Sequence, residues 1–148
     1  MSRSQRGFTL VEMLGVIMIL GLIVAFSVPP LMKLRKTHEL KGARDNIISQ
    51  IQMARARAIS TGVDQPIHFY TGTYGYDYHL HVPGMPTSSL PGWRLPTGVT
   101  YQWPMGSDMN VTMKKNGRAD AALIIPIRNA AGAADTVTVL SSGLVISQ

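Results

Sequence analysis

A single carboxylate, Glu12, lies inside an apolar run that begins at Phe8, and a short segment bearing Arg3 and Arg6 and ending at Gly7 precedes that run. A carboxylate at the centre of a membrane helix costs about 2.5 to 3.5 kcal/mol on insertion scales, so Glu12 requires a cationic partner. Cleavage after Gly7 would create one. It frees the amine of Phe8 within about a turn and a half of Glu12, or opposite the Glu12 of a neighbouring helix in a stack. The chemistry implied is hydrolysis of one peptide bond by another enzyme, followed by an intermolecular ion pair. The competing reading is a secretory signal peptide cut at Ala25-Phe26-Ser27, releasing a domain that begins near Val28. A charge near the head of the segment disfavours it, as does the span from Phe8 to Phe26, longer than the roughly 7 to 15 residues usual for such a signal.

Other residue sets fit known chemistries less completely. His79 and His81 share a face if they lie on one strand, a spacing a metal site could use, but two ligands without a third read as a polar strand face. Asp77, His79 and Ser88 are the residue types of a hydrolase triad, without a nucleophile elbow. Gly72 and Gly75 lack the third glycine and the lysine of a phosphate loop and read as turn residues. Lys114, Lys115 and Arg118, with Tyr101 and Trp103, could form a basic, aromatic surface for single-stranded DNA. The simpler reading is a solvated hairpin tip beside two half-buried rings. Asn110-Val111-Thr112 fits the glycosylation pattern and is assigned no role. No catalytic residue, metal or cofactor is expected, and nucleic acid is the lesser of the partner readings.

The elements that would position these residues follow from composition and period. The chain has 148 residues and no cysteine, which excludes disulfides, thiolate metal sites and cysteine nucleophiles. Its 14 lysines and arginines against 8 acids give +6, and residues 1–57 carry the whole excess. Such asymmetry points to a membrane surface or an acidic partner near the N-terminal part. From Phe8 to Met32 the run has Glu12 as its only formal charge, and as a helix it would span about 37 Å, enough to cross a bilayer. Bases flank it on both sides, so charge alone does not orient it. Pro29 and Pro30 predict a kink or a short melted stretch. Beyond them Leu40, Ala43, Ile47, Ile51, Ala54 and Ala58 recur at helical spacing along one face, and Thr61-Gly62 predicts the stop.

Strand grammar follows. Residues 67–70 and 74–82 predict a hairpin around Thr71-Gly72-Thr73, and 99–103 a short strand. Residues 83–98 predict a loop rich in proline and glycine, pinned by Trp93 and Leu95. Residues 109–114 and 119–127 predict a hairpin around Asn116-Gly117, and 136–140 with 144–147 a last one turning at Ser141-Ser142-Gly143.

The string Arg6-Gly7-Phe8-Thr9-Leu10-Val11-Glu12-Met13-Leu14 resembles the class III signal of type IV pilins and type II secretion pseudopilins. The resemblance implies that a prepilin peptidase cuts after Gly7 and methylates Phe8, that Phe8 and Glu12 serve subunit assembly, and that Pro29 is the kinking proline. It also implies a cytoplasmic leader and a single-pass inner-membrane anchor with a periplasmic C-terminal domain. The divisions are 1–7 leader, 8–32 transmembrane and polymerisation helix, 33–61 amphipathic continuation, and 62–148 β-rich domain. The expected fold is α+β: a pilin fold with the long N-terminal helix packed on a C-terminal antiparallel β-sheet domain. Met53-Ala54-Arg55-Ala56-Arg57-Ala58-Ile59, Trp93-Arg94-Leu95-Pro96-Thr97-Gly98-Val99, Asn116-Gly117-Arg118 and Ser142-Gly143-Leu144-Val145 resemble the minor pseudopilin H of type II secretion and the FimT-like and FimU-like minor pilins. The lack of a cysteine pair tilts the reading to the secretion branch, with a minor pilin of a type IV pilus, acting in priming, adhesion, motility or DNA uptake, as the alternative. Implied partners are other pilins or pseudopilins, the prepilin peptidase, the inner-membrane assembly platform and the membrane. No acidic cluster is present to carry over a calcium site, since Asp120 and Asp135 stand apart.

Overall fold

A computed structural model of the chain describes residues 8–70, 75–81, 92–103 and 108–148, without the side chains of 27–33. It divides into two compact units, Met1–Arg35 and Lys36–Gln148. One helix, α1 (Leu10–Thr61), contributes to both. It ends where the sequence places its stop. Gly62 adopts φ +70°, and its N–H donates to the Ala58 carbonyl at 3.0 Å, a left-handed C-terminal cap that a side chain would strain. Positions 29 and 30 fall within this one helical element. The kink expected at Pro29 belongs to residues whose side chains lie outside the described ones.

In the first unit, the large apolar side chains of α1 from Leu10 to Phe26 face solvent on every side, Leu10 being 82 % and Phe26 75 % exposed. Among the described residues no helix is long and apolar enough to cross a membrane. The run expected from Phe8 to Met32 is described in its side chains only as far as Phe26.

In the second unit the same helix is amphipathic. Leu40, Ala43, Ile47, Ile51, Ala54 and Ala58 are buried in a core shared with the strands, as their spacing requires. Among the described residues, two antiparallel four-stranded sheets complete that core. Sheet A has the order β3 (Gly92–Trp93), β2 (Tyr78–Leu80), β1 (Gln65–Phe69), β5 (Met109–Met113). Sheet B has the order β4 (Val99–Tyr101), β6 (Leu123–Asn129), β7 (Ala134–Val139), β8 (Val145–Ser147). Period-two burial sets the faces: Ile67 and Phe69 on β1, and Leu123, Ile125 and Ile127 on β6, point inward.

The α+β class with an antiparallel β domain is therefore as expected, while three local readings change. Residues 109–114 and 119–127 do not form one hairpin. Beyond a single bridge, Met113 to Ala119, the chain leaves sheet A for sheet B, so β5 pairs with β1 and β6 pairs with β4 and β7. The turn itself is tight, Gly117 N–H donating to Lys114 O at 2.8 Å and Lys114 N–H to Arg118 O at 2.8 Å. Asp120 then occupies the outer edge of β5: its carboxylate accepts from Thr112 N–H at 2.9 Å, and its own N–H donates to Thr112 O at 3.0 Å. Trp93, expected in a loop, lies in β3, paired with Tyr78 and stacked on its ring at 5.7 Å. The β6–β7 hairpin around residues 130–133 was not read from sequence. Residues 71–73 of the first expected turn, 74 and 82 of the strand expected after it, and 83–91 of the expected loop lie outside the described ones, whereas the last hairpin turns at 141–143 as expected.

Candidate functional site

The site begins where α1 begins. Thr9 precedes the first helical residue, its hydroxyl accepts from Glu12 N–H at 3.2 Å, and the Glu12 carboxylate accepts from Thr9 N–H at 3.0 Å and from the Thr9 hydroxyl at 3.1 Å. This is a reciprocal capping box, in which two helix-end donors that lack intrahelical partners are satisfied. Glu12 therefore has a local structural task that sequence reasoning did not assign, although the Thr-x-x-Glu spacing was there to find. Phe8 is 76 % exposed and lies just before the cap. An amine freed on Phe8 would adjoin the carboxylate at the positive end of the helix dipole. Gly7, the other member of the expected cleavage pair, lies outside the described residues.

Sheet pairing brings together what spacing could not. His68 and His79 are register partners with nearly parallel rings 5.1 Å apart, and His81 is 5.7 Å from His68. Among the described residues no three His, Cys, Asp or Glu side chains gather as a metal site. Of the triad types, the described Asp77 and His79 are not hydrogen-bonded to each other. Asp77 accepts from Leu95 N–H at 2.7 Å, neither ring nitrogen of His79 has a protein hydrogen-bond partner, and Ser88 lies outside the described residues. Gly75 sits in a bend at φ +75°, and Gly72 is outside the described residues.

The nucleic-acid surface loses its aromatic half. Tyr101 stacks on Trp103 at 4.5 Å, both rings meet Phe69 edge-on, and the Tyr101 hydroxyl donates to Asp77 O at 3.3 Å. Burial pushes the Tyr101 phenol well above its ordinary range. These rings pack against the core. On the basic side, Lys114 is paired with Asp64 at 3.2 Å, and Lys115 and Arg118 are exposed. Asp135, which stands apart in sequence, pairs with Arg44 at 3.2 Å.

Two further features fix the turns against the helix. A Cβ on Gly143, which has φ +82°, would lie 2.0 Å from the Gly117 carbonyl oxygen, and one on Gly117 would lie 3.0 Å from Ile59. The Asn116-Gly117 and Ser142-Gly143 turns thus pack on each other and on the end of α1. Buried Asn129 accepts from Ala131 and Ala133 N–H at 3.0 and 2.9 Å and donates to Lys36 O at 3.2 Å, tying the β6–β7 turn to the helix.

With this geometry in place, comparison with known proteins gives two matches. The family model for the prokaryotic N-terminal methylation motif matches residues 2–28, which contain Gly7, Phe8 and Glu12. The crystal structure of the type IV minor pilin FimU of Pseudomonas aeruginosa (strain PAO1) is similar with a TM-score of 0.58 at 16 % identity, covering 78 % of this chain and 92 % of that one. No curated protein matches the sequence. The chain thus combines an N-terminal methylation motif with an α+β pilin fold.

Proposed function

We propose that the protein is a filament subunit: a prepilin peptidase removes residues 1–7 and methylates Phe8, and the exposed half of α1 then anchors the chain in the inner membrane and packs among other pilin-like subunits. The role is structural rather than enzymatic. The observation that carries this reading is a helix apolar on every side from Leu10 to Phe26, beginning in a capped carboxylate inside a methylation motif. A helix apolar all round must be covered by lipid or by other protein. After cleavage, Glu12 would exchange one of its cap bonds for the amine of Phe8 on a neighbour, while the second unit stands in the periplasm. Assembly platform and ATPase supply the driving force.

Within this reading, the protein is a low-copy pseudopilin of a type II secretion system, supported by the absence of a cysteine pair. The second reading, a minor pilin of a type IV pilus, is supported by the fold shared with FimU. Pull-down of the membrane-extracted chain separates them, since pseudopilins or pilus subunits would be recovered.

The assembly claim is tested with two substitutions. Glu12→Gln keeps a capping-box acceptor but removes the charge, whereas Glu12→Ala removes both. The ion pair requires that both variants fail to co-assemble. Normal co-assembly of Glu12→Gln would reduce Glu12 to a helix cap, and normal co-assembly of both would end the assembly role of this residue.

A further inference from the structure

The outward face of sheet A carries a row of residues to which the proposed function assigns no part. Register places Asn110, His68, His79 and Gly92 side by side across β5, β1, β2 and β3. Around His79 the rings close in: His68 lies parallel at 5.1 Å, Tyr70 stacks at 5.2 Å, Tyr76 approaches edge-on at 5.3 Å, and His81 lies at 6.1 Å. Gly92 makes room for this closure, because a Cβ there would lie 2.6 Å from the Tyr76 ring. The result is a histidine 1 % exposed with no protein hydrogen-bond partner at either nitrogen.

Such a site tolerates a neutral imidazole and opposes a charged one. The groups facing it offer little counter-charge. His68 on β1 and His81 beyond β2 are of like sign when protonated, Tyr70 and Tyr76 are neutral phenols, and Gly92 brings nothing from β3. Asp108, before β5, acts on His68. Arg94 donates from Nε to Gly75 O, next to Tyr76.

We propose that His68 and His79, with His81 beside them, form an acid latch: neutral, the stacked pair lets Tyr70 and Tyr76 close over β2, and protonated, the two rings repel each other and release the β2–β3 edge of sheet A. Burial first, then the neighbouring imidazoles, lowers His79 from the ordinary 6.5 to about 4. Burial, then His81, lowers His68 as well. The sign follows from proton uptake. Between pH 6.5 and about 4 the open form binds a proton at His79 that the closed form refuses, so closure is fully favoured above 6.5 and is lost as pH falls through this window.

The test is amide hydrogen exchange of the full-length chain in detergent, expressed as protection factors between pH 7 and pH 4. Protection at His79, Leu80 and Trp93 should fall by up to about tenfold per pH unit across the window, reversibly, while β6 and β7 stay protected. His79→Phe keeps a ring in the stack without a titrating group and should abolish the fall. Should that variant not fold, the double substitution His68→Gln, His81→Gln removes the like charges and should shrink the fall several-fold. Protection that is flat from pH 7 to 4 in the native chain overturns the latch. So does an undiminished fall in His79→Phe or, if that chain does not fold, in the double variant.

Discussion

The two halves of α1 obey different rules. From Leu40 to Ala58 the helix has one apolar stripe, and its own strands seal it; Ile47, Ile51, Ala54 and Ala58 are all 0 % exposed. From Leu10 to Phe26 the helix is apolar all round, and nothing within the described chain covers it. A stripe specifies a domain, because it can be buried on one side only. An all-round apolar surface specifies an environment, because only lipid or other subunits can surround it. One helix therefore encodes a fold in its second half and an environment in its first.

The largest effect that would break this contrast should come from Gly143→Ala. The left-handed backbone and a Cβ 2.0 Å from the Gly117 oxygen leave no room, and a loss of about 4 kcal/mol or more is expected in urea unfolding of the full-length chain in detergent. Sealing is next. Ile51→Ala should cost about 3 kcal/mol in the same measurement by opening a cavity. Ile17→Ala, at a position 67 % exposed, should leave unfolding of the domain within about 0.5 kcal/mol of the original. Equal losses from the two substitutions would erase the distinction between the halves. Asn129→Ala strips partners from Lys36 O and from two turn amides, and about 2 kcal/mol is expected, read from the same urea midpoint. The last effect is local. Thr9→Ala removes one side of the capping box and should cost the first turn about 1 kcal/mol, seen as faster amide exchange there with domain unfolding unchanged.

What could be read in advance depended on the range over which each signal acts. The stripe, the Gly62 stop and the last hairpin are local, set by period and backbone preference, and the sequence showed them. Asn116-Gly117 showed that the chain reverses but not that Asp120 would end the ladder after one bridge and send β6 to the other sheet. His68 could not be placed beside His79, since their meeting depends on strand register fixed by the whole sheet. Asn129 left only a faint trace, an Asn ahead of Ala-Ala-Gly where a side chain can bond its own turn. At the N-terminus the motif at Gly7, Phe8 and Glu12 was legible. The cap between Thr9 and Glu12 is equally local, a Thr-x-x-Glu spacing that the intermolecular pairing expected of the carboxylate hides.

The most direct test is the N-terminus of the mature chain, measured by mass spectrometry of protein recovered from cell membranes. The expected chain begins at Phe8 and carries one methyl group on that residue's nitrogen. A chain beginning at Val28, or one still carrying residues 1–7, would contradict the proposed processing.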